Sequence, residues 1–180
     1  MNQPLDTYFG PQSECIRIDF ETSPGWGGSY VDIEVEADPN TYIRVTWGDA
    51  PAKICQHYTQ SLQLTHSYPS YNQGGGIRFT LCLELQEGAH FIGLKTRERS
   101  VFLNTLRLDV SHCPHLRYLQ YQKIEELRLP KRCMLTDLKL REYRGTHLDL
   151  SGARDLETFA CTYSGALQSI DLSHSTKLYT

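Results

Sequence analysis

Leu108-Asp-Val-Ser-His-Cys-Pro-His-Leu116 is the first of four variants of one sentence. It returns as Leu127-Arg-Leu-Pro-Lys-Arg-Cys-Met-Leu135, Leu148-Asp-Leu-Ser-Gly-Ala-Arg-Asp-Leu156 and Ile170-Asp-Leu-Ser-His-Ser-Thr-Lys-Leu178. The starts are 19, 21 and 22 residues apart. A repeat at this period predicts a solenoid, in which each unit buries its apolar side against the next. Between the copies runs a second half-repeat: Leu116-Arg-Tyr-Leu119-Gln-Tyr121, Leu135-Thr-Asp-Leu138-Lys-Leu140 and Leu156-Glu-Thr-Phe159-Ala-Cys161, with a fragment at Leu178. Inward leucines at these spacings stack coil upon coil, and coils this short leave room for little helix.

Upstream the period changes to two. Ile16, Ile18 and Phe20 alternate with Arg17 and Asp19; Val31, Ile33 and Val35 alternate with Asp32, Glu34 and Glu36. Ile43, Val45 and Trp47 follow, then Leu62 and Leu64, then the run Ile77, Phe79, Leu81, Leu83 and Leu85. Turn-formers separate these runs, among them Asp38-Pro-Asn40, Gly48-Asp49-Ala-Pro51 and the stretch from Tyr68 to Gly76. Short strands at such intervals predict a β-sandwich.

The first half resembles the PKD-like, immunoglobulin-type domains of bacterial surface proteins. The residues that carry the likeness are Val45-Thr-Trp-Gly-Asp49, Leu64-Thr-His-Ser-Tyr68 and the strand from Ile77 to Leu85, over about residues 14–96. Ala50 stands where that family has a second glycine, and the loop before Ile77 is longer than is usual there. The second half resembles the leucine-rich repeats of bacterial surface proteins, which often follow a PKD-like domain. The expected organisation is an N-terminal segment over 1–13, a sandwich over 14–98 and about four coils over 99–180. Phe102, Leu103, Leu106 and Leu108 join the two without a Gly/Pro/Ser linker, which predicts one continuous core with the sandwich capping the solenoid.

Composition fits a globular chain of one or two domains. Its 180 residues are 39% hydrophobic and 22% charged, which argues against disorder. A net charge of −3 provides no nucleic-acid footprint. The charge is uneven: residues 1–100 carry 7 basic against 12 acidic side chains, and residues 101–180 carry 11 against 9. No run approaches the ~20 apolar residues of a membrane helix. The N-terminus lacks the basic and apolar regions of a leader. A cytoplasmic protein is expected if Met1 is the native start, and a surface or secreted one if a leader has been removed. The six cysteines lack CxxC spacing and read mostly as buried free thiols.

Several residues invite chemistry. Asp109/Ser111, Asp149/Ser151 and Asp171/Ser173 form a recurring Asp-x-Ser ladder, readable as a calcium site or as side chains that satisfy backbone groups at each turn. Arg128 fills the equivalent slot in the second copy, where it would pair with Asp109 and Asp149 and disfavour a cation. The backbone-capping role is the better reading. His112, Cys113 and His115 lack a second ligand pair at zinc spacing, so no metal and no cofactor is assigned. Gly74-Gly-Gly76 has neither phosphate-loop spacing, and Tyr68 and Tyr71 beside it read as packing rather than ligand stacking. Asp49 and His66 would make a dyad if the fold joined them, yet in a PKD-like frame they read as turn and packing residues. No catalytic motif is present and no enzyme is expected.

Solenoids act mainly by binding. The leading expectation is a non-enzymatic module that recognises a protein, or else a glycan, on the solenoid strand face through Tyr118, Gln120, Arg128, Lys139 and Arg141. A basic stretch (Arg128, Lys131, Arg132, Lys139, Arg141 and Arg144, against Asp137 and Glu142) reads equally as a solvated face or as a patch for an acidic partner. The rivals are a metal-dependent or hydrolytic protein using Asp49/His66 or the Asp109/Asp149/Asp171 ladder, and a structural part of an envelope assembly. The last coil, near Leu178, is expected to expose apolar side chains and a strand edge, inviting self-association.

Overall fold

A computed structural model of the chain describes residues 4–22, 29–57, 59–68, 76–97 and 103–179. Among them are thirteen strands and one short 3₁₀ turn, Leu5–Tyr8. The strands are β1 (Cys15–Thr22), β2 (Ser29–Ala37), β3 (Thr41–Thr46), β4 (Lys53–His57), β5 (Ser61–Tyr68), β6 (Arg78–Leu85), β7 (Phe91–Thr96) and β8 (Leu103–Asp109). They continue as β9 (Tyr118–Arg128), β10 (Asp137–Tyr143), β11 (His147–Asp149), β12 (Thr158–Thr162) and β13 (Ser169–Asp171). The protein is mainly β, with a solenoid-like region of stacked coils at its C-terminal end.

The first eight strands fall into two antiparallel runs, β4-β3-β6-β1-β8 and β7-β2-β5. The apolar side chains of β1, β2, β3 and β6 keep the expected period of two, because alternate side chains point to one face of a strand. Ile16, Ile18 and Phe20 of β1, Ile43 and Val45 of β3 and Leu81, Leu83 and Leu85 of β6 are buried. So are Val31, Ile33 and Val35 of β2 and Phe91 and Leu94 of β7, in the same core. Trp47-Gly48-Asp49 turns sharply after β3. Gly48 has φ +90°, and a Cβ there would lie 2.9 Å from the Thr80 carbonyl oxygen, so the turn needs glycine.

The coils grow directly from these runs. The first half of β9 pairs in parallel with β7 (Leu119 opposite Leu94), and its second half pairs in parallel with β8 (Leu127 opposite Leu108). One strand therefore starts both ladders of the solenoid. It turns the corner at Lys123, whose φ is +56°. Glu142 and Tyr163 have the same φ of 56° one and two coils later. The first ladder then runs β9, β10, β12, with Leu119 opposite Leu138 and Leu138 opposite Phe159. On the second side β11 pairs in parallel with β13.

Backbone bonds repeat with the coil. The Ile92 carbonyl accepts Arg117 N–H, the Arg117 carbonyl accepts Thr136 and Asp137 N–H, and the Thr136 carbonyl accepts Glu157 and Thr158 N–H. Ile92 lies beside β7 Leu94, so the antiparallel block itself supplies the coil beneath the first. The expected continuous core is present: a single cluster runs from Ile16 to Leu156. Phe102 and the Leu103 side chain lie outside the described residues, and Leu106 is half-buried.

Small residues occupy the inner turn of every coil. Cys113, Cys133, Ala153 and Ser175 are equivalent and buried. Where a donor exists it is used: Cys113 Sγ points at the Cys15 carbonyl (3.3 Å), Cys133 Sγ at that of Gly152 (3.7 Å) and Ser175 Oγ at that of Ala153 (3.0 Å). All six cysteines are free, but only Cys113 and Cys133 are buried. The expectation that most are buried is corrected on this point, because Cys15, Cys55, Cys82 and Cys161 lie on half-covered positions near strand faces.

Burial weakens along the solenoid. Leu108 and Leu148 are 0% and 1% exposed, whereas the equivalent Ile170 is 37% exposed. Phe159, Cys161, Leu167, Leu172 and Leu178 are only partly covered. The last described coil thus has an open apolar face. Among the described residues no helix is long and apolar enough to cross a membrane.

Candidate functional site

β5, β2, β7, the first half of β9, β10 and β12 lie side by side. Their outward side chains form rows fixed by register. One row reads Gln63, Glu34, Lys95, Gln120, Lys139 and Ala160. The next row on the coil side holds Gln122, Arg141 and Thr162. The face is mixed in charge. Glu34 on β2 is held by Lys95 at 2.8 Å and Arg97 at 3.2 Å, and these contacts, led by the Lys95 hydrogen bond, keep its carboxyl below the usual range. Lys139 and Arg141 lie at the other end, both exposed. The Arg141 guanidinium sits 5.2 Å from the centre of the Tyr163 ring, a cation–π contact that orients it.

Three of the five residues picked from the sequence, Gln120, Lys139 and Arg141, share this face and are exposed. Tyr118 lies on it too, but its ring covers Gly93 and its hydroxyl is buried. A Cβ on Gly93 would fall 1.9 Å from that ring, so Tyr118 is a packing residue with one half-exposed side. Arg128 is elsewhere. It follows the Lys123 corner, lies on the β8 side opposite Asp109, and is held by Glu126 at 2.6 Å and Asp109 at 4.0 Å. Pairing with Asp149 is not seen among the described residues. The basic stretch is divided the same way, with Lys131 and Arg132 in the turn after β9 and Arg144 bonded to Asn104.

The Asp-x-Ser ladder caps backbone. Asp109, Asp149 and Asp171 each accept the N–H of the serine two residues on, at 3.0, 2.9 and 2.9 Å. Bonds from the Ser151 and Ser173 hydroxyls and backbone hold the Asp149 and Asp171 carboxyls below the ordinary range. Each carboxylate thus terminates its own strand, the role expected of aspartate in such turns.

The fold does bring Asp49 and His66 together. Both Asp49 oxygens lie 2.9 Å from His66 Nε2. The ring is stacked on Trp47 (4.6 Å, 12°) and meets Tyr68 edge-on at 4.5 Å. The buried Tyr68 hydroxyl closes the cluster by donating to the Trp47 carbonyl at 2.7 Å. Asp49 therefore holds a ring that is committed to packing on its neighbours. Tyr71, Gly74 and Gly75 lie outside the described residues.

A further cluster joins His115 to two residues that no sequence motif singled out. Glu14, just before β1, is 5% exposed. Its Oε2 accepts the Phe91 N–H at 2.8 Å, while Oε1 receives His90 Nδ1 at 3.0 Å and His115 Nδ1 at 2.8 Å. The two imidazoles are 3.6 Å apart between ring centres. These positions are 76 and 25 residues apart, so no local spacing announces them. Only the density of His112, Cys113 and His115 in the first repeat hinted at it, and there the structure separates the three. Cys113 turns inward to Cys15, His112 meets Ser111 Oγ at 3.3 Å, and His115 alone reaches Glu14.

No protein family, curated protein or solved structure matches this chain.

Proposed function

We propose that the protein is a non-enzymatic binding module that uses the strand face of its coils to engage an acidic surface on a protein partner. One observation carries this reading: Gln120 and Lys139 stand opposite each other, with Arg141 one row on, on an exposed ladder that continues without a break into the β5-β2-β7 run. A flat row of strands with fixed side-chain spacing is the kind of surface that solenoids present to ligands. Lys139 and Arg141 stand on the coils with Asp137 beside them, and Glu34 and Glu36 lie on β2, so a partner with a matching charge pattern would be oriented as well as bound. On this reading the contact set is Gln120, Lys139 and Arg141, with Tyr163 and the exposed edge of Tyr118 as aromatic neighbours.

The same proposal includes the finer description of the fold. The N-terminal half is read as an immunoglobulin-type, PKD-like sandwich, which the Trp47–Asp49–His66–Tyr68 cluster supports. The coils are read as leucine-rich repeats, which the buried Leu116, Leu119, Leu135, Leu138, Leu140 and Leu156 support.

The test is recovery of partners from the native extract with the wild-type chain and with Lys139→Glu/Arg141→Glu. Two charge reversals on an exposed ladder should leave the fold intact and reduce recovery of the specific partner at least tenfold. Equal recovery by both chains would overturn the assignment of this face. Arg128→Glu, on the other ladder, should recover the partner as the wild type does.

A further inference from the structure

We propose that Glu14, His90 and His115 form a binding site for one divalent transition-metal ion of the zinc class. The three donor atoms come from three separate segments, the lead into β1, the lead into β7 and the turn of the first coil, yet all lie within 4.8 Å of one another. Two imidazole Nδ1 atoms converge on a single carboxylate oxygen, at 2.8 and 3.0 Å. Around tetrahedral zinc, with bonds of ~2.0–2.2 Å, neighbouring donors stand ~3.3 Å apart. The two Glu14–histidine contacts would need to open by only a few tenths of an ångström, and each imidazole would bind as the neutral tautomer whose proton sits on Nε2.

The donor set selects the ion. Two nitrogens and one oxygen suit zinc and its neighbours, whereas calcium and magnesium prefer all-oxygen shells. Glu14 is positioned before any ion arrives, because its second oxygen is fixed by the Phe91 backbone N–H and its side chain is 6% exposed. A carboxylate anchored through its other oxygen is the kind of support that orients a ligand. The histidines are 39% exposed in their side chains and line an open depression with Gln12, Glu87 and His112. A fourth position therefore faces solvent, where a water or His112 can complete the shell. The ion would join the antiparallel block to the first coil at the point where the two share β7 and β9.

The experiment uses the full chain, stripped with chelator and titrated with Zn²⁺ by calorimetry, with Co²⁺ as a spectroscopic probe. The expected result is one tightly held ion, a Co²⁺ spectrum of nitrogen and oxygen ligation without a thiolate charge-transfer band, and a melting temperature raised by about 5–10 °C at a hundredfold excess over Kd. His90→Gln and His115→Gln should each weaken binding by about 100-fold or more, while His174→Gln and Cys15→Ser/Cys82→Ser should bind as the wild type does. Equal binding by wild type and His90→Gln/His115→Gln would overturn the site, as would binding that follows the cysteines, or no stoichiometric ion at micromolar Zn²⁺. Should a histidine variant unfold, the imidazole NMR signals of the wild-type chain decide instead: Zn²⁺ must shift those of His90 and His115 and leave those of His147 and His174 in place.

Discussion

The antiparallel half and the coiled half solve the same burial problem with different partners. In the first, β1 is paired with β6, some 60 residues away, and with β8, nearly 90 away, and large rings such as Phe20, Tyr68 and Phe91 fill the space between runs. In the second, each residue meets its counterpart one coil on, and the inner turn admits only Cys113, Cys133, Ala153 and Ser175. The difference teaches where stability is shared. The antiparallel block pairs strands far apart in the sequence, while each coil depends on the one before it. β9 belongs to both.

The strongest way to break this contrast is to damage the shared strand. Leu119→Ala empties a fully buried site between Leu94 and Leu138 and is expected to cost about 2–5 kcal/mol. Tryptophan fluorescence, which comes from Trp26 and Trp47 in the N-terminal half of the sequence, and backbone circular dichroism should report one coincident transition. Two separated transitions would mean that the halves fold independently. Gly93→Ala drives a methyl into the Tyr118 ring across the same joint, with an expected loss of about 1–3 kcal/mol by denaturant unfolding.

Effects confined to one half should be smaller. Tyr68→Phe removes the hydroxyl bonded to the Trp47 carbonyl and should lower stability by about 1–2 kcal/mol, with no change in amide exchange at the last coil beyond that global shift. At the opposite end, Ile170→Ala should cost less than about 1 kcal/mol, because its site is already partly open to water. A cost equal to that of Leu119→Ala would show that the final coil is as tightly covered as the first.

The smallest expected effect is one of pH. Asp149 and Asp171 have folded-state pKa values below their unfolded ones, held down by the Ser151 and Ser173 bonds. Their contribution is present above the unfolded value of about 4 and fades as pH falls through the lower folded values. Melting curves between about pH 6 and pH 3 should show the Asp149→Asn/Asp171→Asn chain losing less stability on acidification than the wild type. The Glu34 and Asp19 contacts of the antiparallel half remain in that variant, so part of the acid sensitivity should persist.

Much of the architecture was legible because burial imposes a period. Ile16-Arg-Ile-Asp-Phe20 reads as a strand with one wet face, and the Leu-Asp-Leu-Ser copies read as a stack because the same inward slots recur. What escaped were features set by geometry across the sequence. Leu108, the start of the first copy, is a residue of β8 and so belongs to the antiparallel block as well. Arg128 parted from Gln120 because the left-handed corner at Lys123 sends the two halves of β9 to different ladders, and neither lysine nor glutamate announces such a corner. Glu14, His90 and His115 meet only because β7 lies beside β9 while the lead into β1 passes their ends.

That two-sided strand also bears on mechanics. Tension applied through the outer coils would reach the antiparallel block along β9, whose second half is bonded to β8 and whose first half is bonded to β7. Each coil beyond this joint is held by its neighbours alone, so the outer coils should detach before it.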